Sequence, residues 1–280
     1  MRAAWLLSLP LLAGCAGGDA ALYRDYAALL AADGGLREET APADAPYSNA
    51  DLATNFERIA LNREYRREGA TLLQERTATR LSRWDEPVRW RIVGQGATAE
   101  DRSEYRALSS RLAAITGLDL GETRAEEPNL SILILGPEER RVFLSALEAD
   151  GASARMPLVA RWVQDVAYPC IGQVGYGDAA SGRITGAMIF IKAELQGLLR
   201  RSCIHEEFAQ TLGLMNDDDD VRPSIFNDDQ EFALLTEHDE YLLRILYDER
   251  LRPGMEAAEA APIVTAIIDE MRPEGRGGLR

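Results

Sequence analysis

Apolar residues recur at two different spacings along the middle of the chain, and these spacings predict two kinds of element. Residues 87–93 alternate apolar and polar side chains, as a half-buried strand does, and residues 131–135 and 186–192 are apolar runs of strand length. Residues 99–116 instead place apolar side chains three or four positions apart, at Tyr105, Leu108, Leu112 and Ile115. This period predicts an amphipathic helix, which Gly117 is suited to end.

The remaining segments are less regular. The pattern over 51–84 is strongly charged and predicts a helix that packs outside the sheet. Residues 172–177 contain three glycines but lack the strand, turn and helix of a dinucleotide fingerprint, so they predict a flexible loop at the rim of a cleft. Residues 261–271 predict a last helix, and a polar tail follows over 272–280.

Residues 203–217 have the layout of a zinc-protease helix in which the zinc ligands are changed. Such a helix carries H-E-x-x-H, so that two imidazoles meet one metal and the Glu activates a water molecule. Extended forms add x-x-G-x-x-H, where the Gly ends the helix and returns a third ligand to the metal. Alignment on Gly213 puts Glu206, Gln210 and Asn216 at the three ligand positions and Glu207 at the general base.

His205 offers a second alignment, because it stands beside Glu206 as in an H-E pair. Four residues further on is Ala209, which cannot bind a metal. A zinc site that used His205 would therefore need a ligand from elsewhere, and the other histidine of the chain is His238. The alternative to the oxygen-ligand site is thus a zinc site built on these two histidines.

From Cys203 to about Met255 the chain resembles an uncharacterised bacterial family of exported proteins, domain of unknown function 2927, with an E-E-x-x-Q-x-L-G-L core followed by Asn-Asp. A second segment resembles the turn that underlies the metal in metzincin peptidases, with Phe226 in the place of the methionine. This segment consists of Ser224, Ile225 and Phe226. Residues 235–247 resemble the helix that closes such domains, with Thr236 as the N-cap.

The resemblance implies an α+β fold, namely a zincin-like single domain over 51–271. Its mixed sheet is expected to pack on helices that include the motif helix. The predicted order of elements agrees, because strand, helix, strand, strand and helix is the order of a zincin N-terminal sheet. The catalytic status of the domain is left open by the resemblance.

The ligand positions supply oxygens alone. Glu206, Gln210, Asn216 and the neighbouring Asp217 suit a hard divalent cation such as calcium, magnesium or manganese. They do not suit zinc, which prefers imidazole and thiolate. The acidic run that continues to residue 220 lacks the spacing of a calcium loop and predicts a solvated loop.

The first fifteen residues predict a targeting segment. An apolar run over 3–12 is too short to span a bilayer, and Leu12-Ala13-Gly14-Cys15 resembles a bacterial lipobox, in which Cys15 is lipidated after cleavage. The alternative is an ordinary secretory signal in which Cys15 has no role. Ala16 after the cysteine favours the periplasmic side of a Gram-negative outer membrane. Residues 16–50 then predict a flexible tether with a short helical stretch over 22–30.

Export leaves Cys170 and Cys203 in an oxidising compartment, which predicts a disulfide between them. On the chain-entropy estimate, its closed loop would contribute roughly 3 to 4 kcal/mol to the free energy of unfolding. A thiolate zinc ligand at Cys203 is the weaker alternative, because this residue lies on the other side of the helix from Gln210.

The net charge of −15 over 280 residues argues against a nucleic-acid partner, which would need a basic surface. The acidity also gives little attraction to anionic lipid, so contact with a membrane depends on the lipid anchor. A chain of this length that is 46% hydrophobic is ample for one globular core.

Three classes of function fit these patterns. The first is an envelope lipoprotein whose zincin-like domain has lost zinc and serves to bind or assemble a protein or peptide partner. The second is a hydrolase that uses Glu207 as general base, with a hard cation or without metal. The third is a structural lipoprotein in which Glu206, Glu207 and Gln210 bind neighbouring loops. Whether the chain is an enzyme stays open at this point.

Overall fold

The computed structural model describes residues 18–68, 71–153, 156–227 and 229–273, so Cys15 and the last seven residues lie outside it. The described helices are α1 (Asp19–Ala32), α2 (Asn49–Ala60), α3 (Ala99–Thr116), α4 (Pro137–Ala149), α5 (Pro157–Gln164), α6 (Gly197–Gln210), α7 (Glu237–Leu246) and α8 (Ala257–Met271). The described strands are β1 (Asn62–Glu68), β2 (Thr71–Ala78), β3 (Val88–Val93), β4 (Leu120–Glu122), β5 (Leu130–Leu135), β6 (Cys170–Tyr176) and β7 (Ile184–Lys192).

Five strands form one mixed sheet in the order β4-β3-β5-β7-β6. Neighbours from β4 to β7 run parallel, whereas β6 runs antiparallel to β7 and forms one edge. The structure thus confirms a mixed sheet packed on helices, and it confirms the three predicted strands as β3, β5 and β7. The predicted helix over 99–116 is α3, and it ends at Gly117 in the left-handed conformation.

Helices cover both faces of the sheet. Trp90 on β3 packs against Tyr105 of α3 and Phe208 of α6, with ring centroids 5.9 Å and 6.4 Å away. On the opposite face Phe190 of β7 packs against Trp162 of α5 at 5.2 Å. Because successive side chains of a strand point to opposite faces, β7 contributes to both hydrophobic clusters. The motif helix α6 is therefore part of the core on one face.

Two charged side chains fix α6 against α3. The guanidinium of Arg200 binds both carboxylate oxygens of Asp101, at 2.7 Å and 2.5 Å, and both residues are buried. Asp101 also completes the capping box at the start of α3 with Thr98. The position of the motif helix is thus set by a buried bidentate ion pair as well as by apolar packing.

The charged segment 51–84 does not form the predicted single helix. Helix α2 ends at Ala60, and residues 62–78 form the antiparallel pair β1–β2. Arg, Glu and Leu favour helices locally, but pairing between the two strands outweighs that preference. The glycine-containing segment 172–177 is likewise not a loop, because most of it belongs to the edge strand β6.

The segment 18–50 is packed rather than a flexible tether. Tyr23 of α1 is buried, and the backbone N–H groups of Leu36 and Arg37 donate to the carbonyls of Gln230 and Glu231. The side chain of Arg37 bonds to Asp44 at 2.9 Å. These contacts explain why the segment joins the domain. Among the described residues, no helix is both long enough and apolar enough to cross a membrane.

Candidate functional site

A cavity of about 670 Å³ opens beside β6 and the motif helix. One wall is the side of α6 that carries Leu199, Cys203, Glu206, Glu207 and Gln210. The second wall is β6 with the loop before it, residues 166–174 and 176, and the third is α1. Pro157 and Leu158 of α5 also contribute, although α5 covers the other face of the sheet. The cavity therefore extends around the edge of the sheet.

The register of β6 leaves one set of its backbone groups facing away from β7. The amide of Lys192 donates to the carbonyl of Pro169 at 3.1 Å, and the strands stay in register from this pair onward to Gly175. In an antiparallel ladder, hydrogen-bonded and non-hydrogen-bonded pairs alternate. The N–H and C=O groups of three residues consequently point to the open edge, namely Cys170, Gly172 and Val174.

The carboxylate of Glu207 lies under Gly172 of β6. A Cβ added at Gly172 would stand 2.8 Å from Oε2 of Glu207 and 3.4 Å from Cγ2 of Thr211. A side chain at Gly172 would therefore displace the carboxylate of Glu207 or the strand itself. Glu207 itself is buried, and its negative charge adds to burial in raising the pKa of Tyr105 well above its usual value. The predicted general base thus lies deep at the floor of the cavity.

Gln210 and Asp217 form a hydrogen-bonded pair at the same wall. Nε2 of Gln210 donates to the two carboxylate oxygens of Asp217 at 2.9 Å and 3.1 Å. The turn at Gly213 makes this possible, because its φ of +121° and the nearby carbonyl of Ser82 leave no room for a side chain. The chain then returns Asp217 to the end of α6.

Asn216 does not join the other predicted ligands. Its side-chain amide donates to the carbonyl of Arg58 at 3.0 Å, and its backbone N–H donates to Ile59 in the last turn of α2. Asn216 is almost fully buried and lies outside the cavity lining. The structure therefore brings Glu206, Glu207, Gln210 and Asp217 to one cavity and places Asn216 against a neighbouring helix.

The predicted disulfide between Cys170 and Cys203 is present, with a Cα–Cα distance of 5.9 Å. Cys170 begins β6 and Cys203 lies in the middle of α6, and both line the cavity. Cys203 therefore lies on the same side of α6 as Gln210, two turns earlier, and the prediction that it lies on the other side is wrong. The bond joins the strand wall to the helix wall. It therefore limits how far the two walls can separate.

The predicted turn beneath the site is held by a buried carboxylate. Oγ of Ser224 donates to Asp239 at 2.6 Å, and the N–H of Ile225 donates to the same carboxylate at 3.1 Å. Asp239 also caps α7 as predicted, through Thr236. The carbonyl of Phe226 accepts from the N–H of Asp218 at 3.0 Å, which ties this turn to the segment that carries Asp217.

The two histidines have separate partners in the core. Nε2 of His205 lies 2.8 Å from Oε1 of Glu104, and Nδ1 accepts from the backbone N–H of Leu235 at 3.2 Å. The ring proton must therefore be on Nε2, and burial lowers the pKa of His205 so that the neutral form is favoured. His238 is fully buried, with Nε2 3.0 Å from the side-chain amide of Asn55.

These donors do not fit zinc. Gln210 is bonded to Asp217, Asn216 faces α2, and each histidine is bonded elsewhere. Within the described ranges, no group of three or more His, Cys, Asp or Glu side chains is arranged to hold a metal ion. The zinc site of a metallopeptidase is thus not reproduced by these residues.

Sequence reasoning missed two walls of the cavity. Strand β6 contains Gly172 and Gly175, which lower strand propensity and interrupt the alternation of side chains. Helix α1 was recognised as helical, but its contact with β6 is non-local. The sequence contained one indication of the β6 wall, because the predicted disulfide joins Cys170 to Cys203 of the motif helix.

The sequence profile of a family described as "Protein of unknown function (DUF2927)" matches residues 49–266. No curated protein and no solved structure matches the chain. The matched region contains α6, β6 and the segment that returns Asp217 to the cavity. Helix α1 precedes it.

Proposed function

We propose a function that is drawn from the cavity itself. The chain belongs to the DUF2927 family, and the description of that family assigns no activity. The domain is a binding module that takes an extended peptide segment along the open edge of β6, without zinc. The protein serves as a membrane-anchored component of the cell envelope, in which this domain binds a protein partner through such a segment.

One observation carries the proposal: the outward-facing backbone groups of β6 lie in a large cavity. An extended peptide can add a strand to an exposed sheet edge, where main-chain hydrogen bonds supply affinity and pockets for alternate side chains supply specificity. Cys170, Gly172 and Val174 offer the backbone groups, and the walls formed by α6 and α1 offer the pockets. A volume of about 670 Å³ is sufficient for several side chains.

A zincin-like fold with altered chemistry is part of the proposal. Its support is the antiparallel strand β6 at the edge beside the motif helix, the Gly213 turn after that helix, and the buried turn at Ser224–Phe226. The replaced ligand positions support a change from zinc catalysis to binding. In particular, both carboxylate oxygens of Asp217 accept from Nε2 of Gln210, so this carboxylate is paired with an amide.

Val174 provides the test, because its N–H points away from β7. We would measure the binding of a blocked, fluorescently labelled heptapeptide of alternating threonine and leucine by anisotropy. Val174→Pro removes the outward donor without removing a ladder bond, so it should weaken binding at least about tenfold, as expected for the loss of about 1.4 kcal/mol. Val174→Ala keeps the backbone groups and should bind nearly as well as the native protein. Equal binding by the two variants would refute docking along this edge.

Glu207 supports a second candidate function, a hydrolase. Its carboxyl group lies at the floor of the cavity directly under β6, where it could take a proton from a water molecule that attacks the carbonyl carbon of a bound peptide. This hypothesis predicts cleavage of the heptapeptide in calcium, magnesium or manganese and its loss in Glu207→Gln, with binding retained. If the intact peptide is recovered after long incubation with each cation, the binding module alone remains.

Anchoring through Cys15 is also proposed, and the lipobox resemblance supports it. Cys15 lies outside the described residues. Expression of the full chain in a bacterium fed with labelled palmitate should label the native protein and not Cys15→Ser, and the variant should move from the membrane to the soluble fraction. Label retained by Cys15→Ser would exclude this residue as the anchor.

A further inference from the structure

Helix α1 places apolar side chains in the cavity without burying them. Tyr23 is buried, but Leu29 is 65% exposed and Tyr26 is 38% exposed, although both line the cavity together with Leu22. An exposed leucine on a helix is common, whereas several large apolar side chains along one cavity wall indicate a surface that a ligand covers. Apart from Asp25, this wall consists of apolar and aromatic side chains, unlike the wall that carries Glu206 and Gln210.

Helix α1 ends in a glycine cap at Gly34 and Gly35, whose N–H groups donate to carbonyls of its last turn. Gly34 has a φ of +86° and a Cβ there would meet nothing within 4 Å, so the residue is needed for its backbone conformation rather than for space. Two residues later, Leu36 is buried and its N–H donates to the carbonyl of Gln230, which fixes the following segment. The boundary between helix and fixed segment therefore falls at Gly34 and Gly35.

Two polar contacts hold α1 against the cavity from its other end. The hydroxyl of Tyr23 donates to the carbonyl of Val166 at 2.8 Å, and Asp19 lies 3.4 Å from Arg140 of α4. The second contact is partly exposed and contributes little. The burial of Tyr23 and the packing of Leu30 against the core add to these contacts, so α1 is a fixed wall of the cavity.

We infer that α1 is the wall that selects the ligand, and that the bound segment carries large apolar side chains on the side that faces α1. The inference rests on the proposed function and adds the class of ligand. Binding buries Leu29 and Leu22 against the ligand, and apolar burial of this kind favours leucine-like side chains over small polar ones. The carbonyl and amide groups of β6 bind the peptide backbone and therefore do not distinguish ligands by their side chains.

Two probe peptides test the inference on the full domain. One is the blocked heptapeptide of alternating threonine and leucine, and the other replaces each leucine by serine. The native protein should bind the leucine peptide at least about tenfold more tightly than the serine peptide. Leu29→Ser should remove most of that preference, whereas Val142→Ser, which changes a similarly exposed residue of α4, should leave it intact.

Amide hydrogen exchange gives a second readout that does not depend on affinity. Saturation with the leucine peptide should slow exchange in α1, and the same peptide should slow it less in Leu29→Ser. Equal affinities for the two peptides, or no effect of Leu29→Ser on their ratio, would overturn the inference while leaving edge binding intact. Failure of both peptides to bind the native protein, or binding that Val174→Pro does not weaken, would instead overturn the proposed function.

Discussion

The two edges of the central sheet are built differently. Strand β4, at one edge, spans three residues, and its Glu122 pairs with Arg106 of α3 at 2.7 Å. Strand β6, at the other edge, spans seven residues, and a cavity of about 670 Å³ lies along it. Both are edge strands, which proteins protect because unpaired backbone groups invite association with other chains. Shortness and a charged neighbour protect β4.

The β6 edge has the opposite character. It is long, its backbone groups at Cys170, Gly172 and Val174 face outward, and a disulfide fixes it to α6. The β4 edge is thus protected from contact, whereas the β6 edge is open and held in a fixed position. An edge strand that is held in a fixed position and whose backbone groups face outward is suited to receive another strand. The four predictions below test this difference, beginning with the largest effect.

Loss of the disulfide should destabilise the protein, because this bond fixes β6 to α6. Cys170→Ser combined with Cys203→Ser opens a loop with a sequence separation of 33 residues, and the expected loss is about 3 to 4 kcal/mol in the free energy of unfolding. Urea unfolding of the variant and of the native protein measures it. Reductant should destabilise the native protein by a similar amount and leave the variant unchanged. A loss below about 1 kcal/mol would mean that packing alone positions β6.

An added methyl group should distinguish the two edges. Gly172→Ala on β6 brings Cβ to 2.8 Å from the carboxylate of Glu207, so we expect a loss of about 1 to 3 kcal/mol in stability. Gly121→Ala on β4 is the matched control, because nothing lies within 4 Å of its Cβ. Thermal unfolding of both variants measures the difference. Equal stability of the two variants would contradict the close approach of β6 to the motif helix.

Alkaline pH should affect the β6 side. Lys192, whose Nζ donates to the carbonyl of Asp165 at 2.6 Å, lies where β6 begins, and burial with the nearby Arg140 lowers its pKa from 10.5 to about 8. Between these values the unfolded chain holds a proton that the folded chain has released. The free energy of unfolding should therefore rise from pH 8 to pH 10 relative to Lys192→Met, by on the order of 1 kcal/mol. Parallel pH profiles for the two proteins would contradict this burial.

The charged pair on β4 should matter least. Both partners are partly exposed, with 59% of the Arg106 side chain and 33% of the Glu122 side chain accessible. Arg106→Gln should change the free energy of unfolding by less than about 0.5 kcal/mol, because exposed ion pairs contribute little. Urea unfolding at low salt measures it. A larger loss would show that the β4 edge depends on this ion pair rather than on its shortness.

Local patterns were sufficient for the elements that bury one regular face. The alternation over 87–93 and the three-to-four spacing over 99–116 correspond to β3 and α3, because each element meets the core along a single face. The capping pair of Thr236 and Asp239 likewise predicted the start of α7. The disulfide followed from the count of cysteines and the expected compartment.

Local patterns failed where structure depends on distant pairing. The strands β1 and β2 are rich in residues that favour helices. Strand β6 contains glycines, and the close packing that requires Gly172 is visible only once the position of α6 is known. For the candidate site, the motif spacing singled out four residues that the structure places in one cavity, namely Glu206, Glu207, Gln210 and Asp217. It could not show that Asn216 turns towards α2, because the carbonyl that binds it comes from Arg58.

The central claim is that β6 presents its outward backbone groups to a peptide, and residue-resolved amide exchange of β6 tests it most directly. The amides of Cys170, Gly172 and Val174 should exchange faster in the free protein than those of Ile171, Gln173 and Gly175, which face β7. Saturation with the threonine–leucine heptapeptide should slow the first group and leave the second nearly unchanged. Equal protection of the two groups without peptide, or no change with bound peptide, would contradict the account.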